Sequence, residues 1–170
     1  MNELFGQPEY LHVLVNPLLT HALPFAAMGL LLALIGGSQG GIRIALILVL
    51  LSAAAVWPTL HYGRNGFDRV NAMTDATGGD WLMVHRHRAE QGSWVFYATA
   101  AGALAALLVP LKWAKSLKPL AGIALLVAVG ACLMAAHIAY PAGKIRHREF
   151  RHEAPPEAER HGAADLTEDH

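Results

Sequence analysis

Ten histidines occur in this 170-residue chain, and five of them stand where an imidazole can do chemistry. Neutral imidazole is the commonest protein ligand for metals, and it titrates near neutral pH. His21 lies one turn into the first apolar stretch, His61 at the end of the second, His85 and His87 just before the third, and His137 near the end of the fourth. His12 precedes them in Tyr10 to Val15, a segment that reads as interfacial. Helical rise gives their depth: Ile42 to His61 is about 28 Å, and Pro119 to His137 about 27 Å. Two imidazoles at one depth, on diagonal helices of an up-down bundle, are what a bis-histidine haem b needs, because its iron takes one nitrogen on each face. His61 and His137 are the predicted axial pair. His21 with His85 or His87 makes a possible second pair. Residues i and i+2 point to nearly opposite sides of a helix, so only one of His85 and His87 can face inward.

The elements that must hold these rings are read from charge. Only 15% of the residues are charged, against about 25% in an ordinary soluble domain. The charge is also segregated: 33 uncharged residues separate Glu9 from Arg43, 20 separate Arg43 from Arg64, 21 separate Glu90 from Lys112, and 25 separate Lys118 from Lys144. A bilayer core about 30 Å thick takes roughly 20 apolar residues as helix. The pattern predicts an all-α, integral membrane, antiparallel four-helix bundle, and excludes a soluble enzyme, a disulfide scaffold and a disordered chain. Predicted divisions are an interfacial N-terminal segment over 1–16, a transmembrane domain over 17–143 and a polar tail over 144–170. The spans are Pro17 to Gly36, Ile42 to Tyr62, Gln91 to Leu111 and Pro119 to Tyr140, with Asn16 as N-cap and Pro17 at the first helical position. Pro24 and Pro58 predict kinks. The loop over 63–90 is predicted to hold two short amphipathic helices, joined by a turn at Thr77-Gly78-Gly79-Asp80 with Asp80 as N-cap.

Four spans put the N-terminus, the long loop and the tail on one side. That side carries nine of the 13 lysines and arginines, the two short loops four, which favours the first side as cytoplasmic. Met1 to Tyr10 has Glu3 and Glu9 but no Lys or Arg, unlike a signal-peptide n-region, so the first span is expected in the mature protein. Arg64, Arg69, Arg86 and Arg88 are candidates for haem propionates or lipid phosphates, or form a solvated loop paired with Asp68, Asp75, Asp80 and Glu90. Trp57, Trp81, Trp94, Tyr62, Tyr97 and Tyr140 read as an aromatic belt. Small residues such as Gly29, Ala101, Gly102 and Ala105 allow close helix packing, or leave room for a flat macrocycle. Glu153 to His170 reads as disordered.

Several chemistries stay open. Histidines at helix ends also sit at an interface bonded to water or headgroups. Three or four of His21, His61, His87 and His137 could bind zinc or copper, with Asp68 or Asp75. Met28, Met73, Met83 and Met134 could add soft ligands, or simply fill the core. Cys132 is the only cysteine, and no Cys-x-x-Cys-His motif occurs, so an intrachain disulfide and covalent c-type haem are excluded. With 13 acidic against 13 basic residues there is no basic field for nucleic acid. The leading expectation is an electron carrier with one or two haems b, serving a quinone or a redox protein partner. The alternatives are a cofactor-free accessory subunit of a larger membrane complex and a histidine-based metal-binding membrane protein. A transporter is disfavoured because the spans lack carboxylates for a relay.

Three segments resemble a bacterial four-helix membrane family known only as a domain of unknown function. They are Asn16-Pro17-Leu18-Leu19-Thr20-His21, the stretch from Trp81 to Tyr97 with its histidine before the third span, and Ala136-His137-Ile138-Ala139-Tyr140-Pro141-Ala142-Gly143-Lys144. The resemblance covers most of residues 10–150. It implies a small redox-associated protein of the bacterial inner membrane, of a kind sometimes joined to c-type cytochrome modules. The family shows His-Pro near the start of its first helix; here the pair is Asn16-Pro17, with His12 and His21 on either side.

Overall fold

The computed structural model describes residues 6–160. Its regular elements are all helical: α1 (Pro8–Val15), α2 (Leu23–Ile35), α3 (Gln39–Ala54), α4 (Val56–Ala72), α5 (Ala76–Leu108) and α6 (Leu117–Arg146). A π-type turn, Leu18–Ala22, joins α1 to α2, and single 3-10 turns occur at Val109–Leu111, Ala114–Ser116 and Arg148–Phe150. Taken through these joints, four helical stretches are long and apolar enough to cross a membrane: Pro8–Ile35, Gln39–Ala72, Ala76–Leu111 and Ala114–Arg146, of 28, 34, 36 and 33 residues.

These helices run well past the predicted span ends. No 28-residue loop lies between the second and third spans; α4 continues to Ala72 and α5 begins at Ala76. The turn sits at Met73 to Asp75 rather than at Thr77 to Asp80, and the N-cap is Asp75, whose Oδ1 accepts from Gly78 N–H at 2.7 Å. Asp75 prevails over Asp80 because it also anchors Arg151 and Arg148, each at 2.8 Å. The extended helices find their own core, where Phe67, Trp81, Leu82, Val84 and Ile145 form a second buried cluster. Trp81 belongs to that cluster and not to an exterior belt: it is 1% exposed, with the Lys144 ammonium 4.3 Å above its ring.

The start of the first span also differs. Asn16 is helical and caps nothing with its side chain; helix begins instead at Pro8. Pro17 and Pro24 each remove an N–H from the ladder, and the wider turn between them is the kind of adjustment by which a helix carries two prolines without breaking. At the other end of α2, Gly37 takes φ 67° and Ser38 caps α3, accepting from Gly41 N–H at 3.1 Å. A side chain at position 37 would be strained in that left-handed conformation.

The main core places Leu23 and Leu30 of α2, Ile42, Leu46 and Val49 of α3, and Phe96 and Ala103 of α5 against an alanine seam on α6. That seam is Ala121, Ala124, Ala128, Ala131 and Ala135, all buried, at the spacing of one helix face. Small residues let backbones approach closely, which is how helices associate where the surroundings are as apolar as the interface. The outer faces are apolar too: Phe25, Leu32, Ile35, Leu51, Leu126 and Leu133 are exposed, which fits contact with a lipid bilayer. The packing pairs that matter for the site are α1 on α4, α5 on α6 and α4 on α5.

Candidate functional site

A cavity of about 800 Å³ opens at the end of the molecule where α1, α4, α5 and α6 meet. Its wall is mainly apolar and includes Leu19, Val56, Leu60, Phe96, Ala135 and Ile138. Three histidines line it, and two of them come from opposite helix pairs: His12 on α1, which packs on α4, and His85 on α5, which packs on α6.

Each ring is tied across its own pair. His12 Nδ1 lies 2.9 Å from the carbonyl oxygen of Thr59 on α4, and His85 Nδ1 lies 2.9 Å from that of Ile138 on α6. A carbonyl only accepts, so each Nδ1 carries a hydrogen, and in a neutral ring of that tautomer Nε2 is the atom that can ligate. No hydrogen bond occupies either Nε2 among the described residues. The two ring centroids are 6.4 Å apart, with the planes at 86°.

Local sequence explains why the rings are there. Gly63 and Gly66 form a notch on α4 for α1: a Cβ on Gly63 would stand 2.9 Å from His12 Nδ1, and one on Gly66 would stand 2.8 Å from the backbone nitrogen of Glu9. On α6, Pro141 lacks the N–H that the His137 carbonyl would have received. That carbonyl instead accepts from Arg88 Nη1 at 3.2 Å, while the next one, of Ile138, takes His85.

The predicted axial pair is not brought face to face. His61 and His137 are both exposed on the outside of their helices. His61 stacks on exposed Trp57, with centroids 5.6 Å apart and planes 9° apart, and Asn65 Nδ2 lies 3.2 Å from its Nε2. The inward side of α4 is set by Val56, Thr59, Gly66 and Phe67, and that of α6 by the alanine seam. His61 and His137 match in depth but are out of phase with both. His21 is exposed at the cavity wall, with Thr20 Oγ1 2.8 Å from its Nδ1. Of the two before the third span, His85 lines the cavity; His87 does not, and its Nδ1 is buried with no hydrogen-bond partner among the described residues.

Three of the four predicted arginines, Arg64, Arg69 and Arg86, line the cavity. Arg88 does not; its guanidinium forks onto Glu159 at 2.7 and 3.1 Å. Arg146, which is not among the four arginines predicted for propionates or phosphates, lines the cavity in its place. His12 is the other residue missed. Its signal is the Gly63-x-x-Gly66 notch, a mark of close helix approach that makes the segment before Asn16 a packed helix. Neither Asp68 nor Asp75 lines the cavity, and no group of three or more His, Cys, Asp or Glu placed to hold a metal ion occurs among the described residues.

The C-terminal segment over 147–160, predicted to be disordered from Glu153 on, packs back on the helices. Glu159 holds Arg88, Arg160 reaches Asp80 at 3.1 Å, and Glu153 accepts from Lys144 at 2.6 Å. Residues 161–170, the rest of that prediction, lie outside the described residues. Comparison of the chain with family models, with curated proteins and with solved structures gave no match.

Proposed function

We propose that this is an antiparallel four-helix protein of a bacterial inner membrane that holds one haem b between His12 and His85 and carries single electrons. The observation that supports the reading is the geometry of those two rings. A metal–imidazole bond is about 2.0–2.1 Å, and a ring centre lies about 1.1 Å behind its nitrogen, so two axial imidazoles on one metal have centroids about 6.3 Å apart. The rings here are 6.4 Å apart. A metal held between two imidazoles sets no angle between their planes, so the 86° found here is compatible with it. Two protein ligands are also the number wanted when a macrocycle fills the other four positions, whereas a zinc site takes three or four.

Haem b, when bound, supplies a reversible one-electron couple. The chain's own residues hold and tune it. Thr59 and Ile138 fix the tautomer and orientation of the ligating rings, the usual work of the outer partners of a metal-bound histidine. Val56, Leu60, Phe96, Ala135 and Ile138 give the cavity an apolar wall, which lowers the dielectric around a bound group. His87 does not line the cavity, so the reading has one haem rather than two. Both described ends of the chain lie with the cavity on the side rich in arginine, the cytoplasmic one by the positive-inside rule. The electron would pass between the membrane quinone pool and a redox protein on that side.

The test is an optical spectrum of detergent-purified protein from haem-replete cells, oxidised and then reduced with dithionite. The expected result is a Soret band and a sharp reduced α band, both lost in His12→Ala and in His85→Ala. A colourless wild-type protein, or an unchanged spectrum in either variant, overturns the reading.

A further inference from the structure

We infer that the cavity rim is a site for two carboxylates, the propionate arms of the haem proposed above, on which this inference rests. The argument is a charge count. Four arginines line the cavity, Arg64, Arg69, Arg86 and Arg146, against two glutamates, Glu9 and Glu90. With the histidines neutral, two positive charges have no counterpart.

The structure locates both. Arg69 is matched one to one, its Nε 3.0 Å from Glu9 Oε1. Arg64 and Arg86 share a single oxygen: their Nε atoms lie 3.1 and 3.4 Å from Glu90 Oε1. That triplet carries one surplus charge. Arg146 has no carboxylate partner among the described residues and carries the other.

The sharing leaves donors to spare. Arg64 and Arg86 spend only Nε in hydrogen bonds, so each keeps both terminal amino groups, the fork that grips a carboxylate through two parallel bonds. Arg86 is only 15% exposed and Glu90 12%. Arg86 and Glu90 balance each other at that depth, so the surplus falls on Arg64, 55% exposed, and on Arg146, also exposed; both stand at the mouth of the cavity, where a bidentate bond to a carboxylate adds to what water offers. The count also discriminates among occupants of an apolar cavity. A neutral quinone would leave both charges unmatched, and a lipid with a single phosphate would leave one. A flat apolar body with two acidic arms matches both.

The experiment titrates detergent-solubilised apoprotein with hemin and with hemin dimethyl ester, following the Soret band. The ester changes only the ligand's charge, so the protein's folding is not in question. Hemin is expected to bind about 10–100-fold more tightly for each arm that finds its arginine. Arg146→Gln and Arg86→Gln, verified as folded by circular dichroism, should each shrink that preference while the ester's affinity holds. Equal binding of hemin and ester overturns this inference and leaves the axial pair standing. A preference that survives both substitutions overturns the assignment to these arginines. Failure of both ligands to bind removes the haem reading and this inference with it.

Discussion

Gly63→Ala isolates His12 without deleting it. The new Cβ would stand 2.9 Å from His12 Nδ1 and 3.1 Å from Cε1. Non-bonded carbon and nitrogen settle at about 3.5 Å or more, so the ring must retreat by about 0.5 Å. Nδ1 holds its position through a 2.9 Å bond to the Thr59 carbonyl on the same helix. The retreat strains or breaks that bond and moves the ring off its 6.4 Å spacing from His85. Disturbing the outer partner of a ligating histidine typically lowers metal affinity about 10–100-fold, and hemin affinity should fall by that factor in a Soret titration. Folding should not suffer, because alanine is favoured over glycine inside a helix by about 1 kcal/mol. Gly29→Ala and Gly102→Ala serve as matched controls, since a Cβ at either meets nothing within 4 Å; both should bind hemin as the wild type does. Wild-type affinity in a folded Gly63→Ala protein would refute His12 as a ligand.

Three further outcomes follow from the same geometry. His61→Ala and His137→Ala should keep the full haem spectrum, because both rings point outward; loss of the Soret band in either would restore the pairing predicted from depth. The C-terminal segment should come loose in acid. Asp75 is held near pKa 2 against an ordinary 3.8, chiefly by its bond from Arg151, and Glu159 is held below the usual range by Arg88. A depressed folded-state pKa gives stability that is complete above the unfolded value and lost as pH falls through the folded one. A spin label on Ala154→Cys, in a Cys132→Ser background, should therefore stay immobile from pH 8 to 5 and gain mobility between about pH 4 and 2; mobility gained near neutrality would contradict the ion-pair account. Pro141→Ala should restore an N–H for the His137 carbonyl that Arg88 now occupies at 3.2 Å. The same label should then become more mobile at neutral pH, and hemin affinity should fall as the neighbouring Ile138 carbonyl realigns; no change in either would separate the proline from the site.

The sequence made the four apolar stretches plain because absence of charge is a local property that no packing arrangement can disguise. It did not show where the helices end. Charged residues between Arg64 and Glu90 signal a loop only if they cannot be placed on helix surfaces, and here Arg86 pairs with Glu90 within α5 while Arg64 reaches the same carboxylate from α4. The tail misled for a related reason. Its composition is that of a disordered chain, yet Glu159 is fixed by Arg88, 71 residues earlier, and no local window contains both. The histidines show the limit most clearly. Helical rise gave the depths of His61 and His137, but ligation needs phase as well. The buried positions of α6, from Ala121 to Ala135, set that phase; His137, two residues beyond the last of them, is turned away.

His12 and His85 meet because this end of the protein is built from two helix pairs rather than four equal helices. α5 lies close on α6, where a Cβ on Gly92 would stand 2.7 Å from Met134 Sδ, and the Gly63 and Gly66 notch brings α1 close to α4. Tight packing within each pair leaves the free volume between them, where α4 faces α5. Each pair then presents one imidazole to that gap and holds it from behind with a carbonyl of the partner helix, Thr59 for His12 and Ile138 for His85. Rings anchored this way keep their spacing only while the pairs keep theirs, so the separation of the imidazoles measures how far apart the two halves stand. A ligand that bridges them would bind most tightly at that separation and would resist any movement of one pair against the other. Occupancy of the cavity and rigidity of the arginine-rich end would then be one equilibrium.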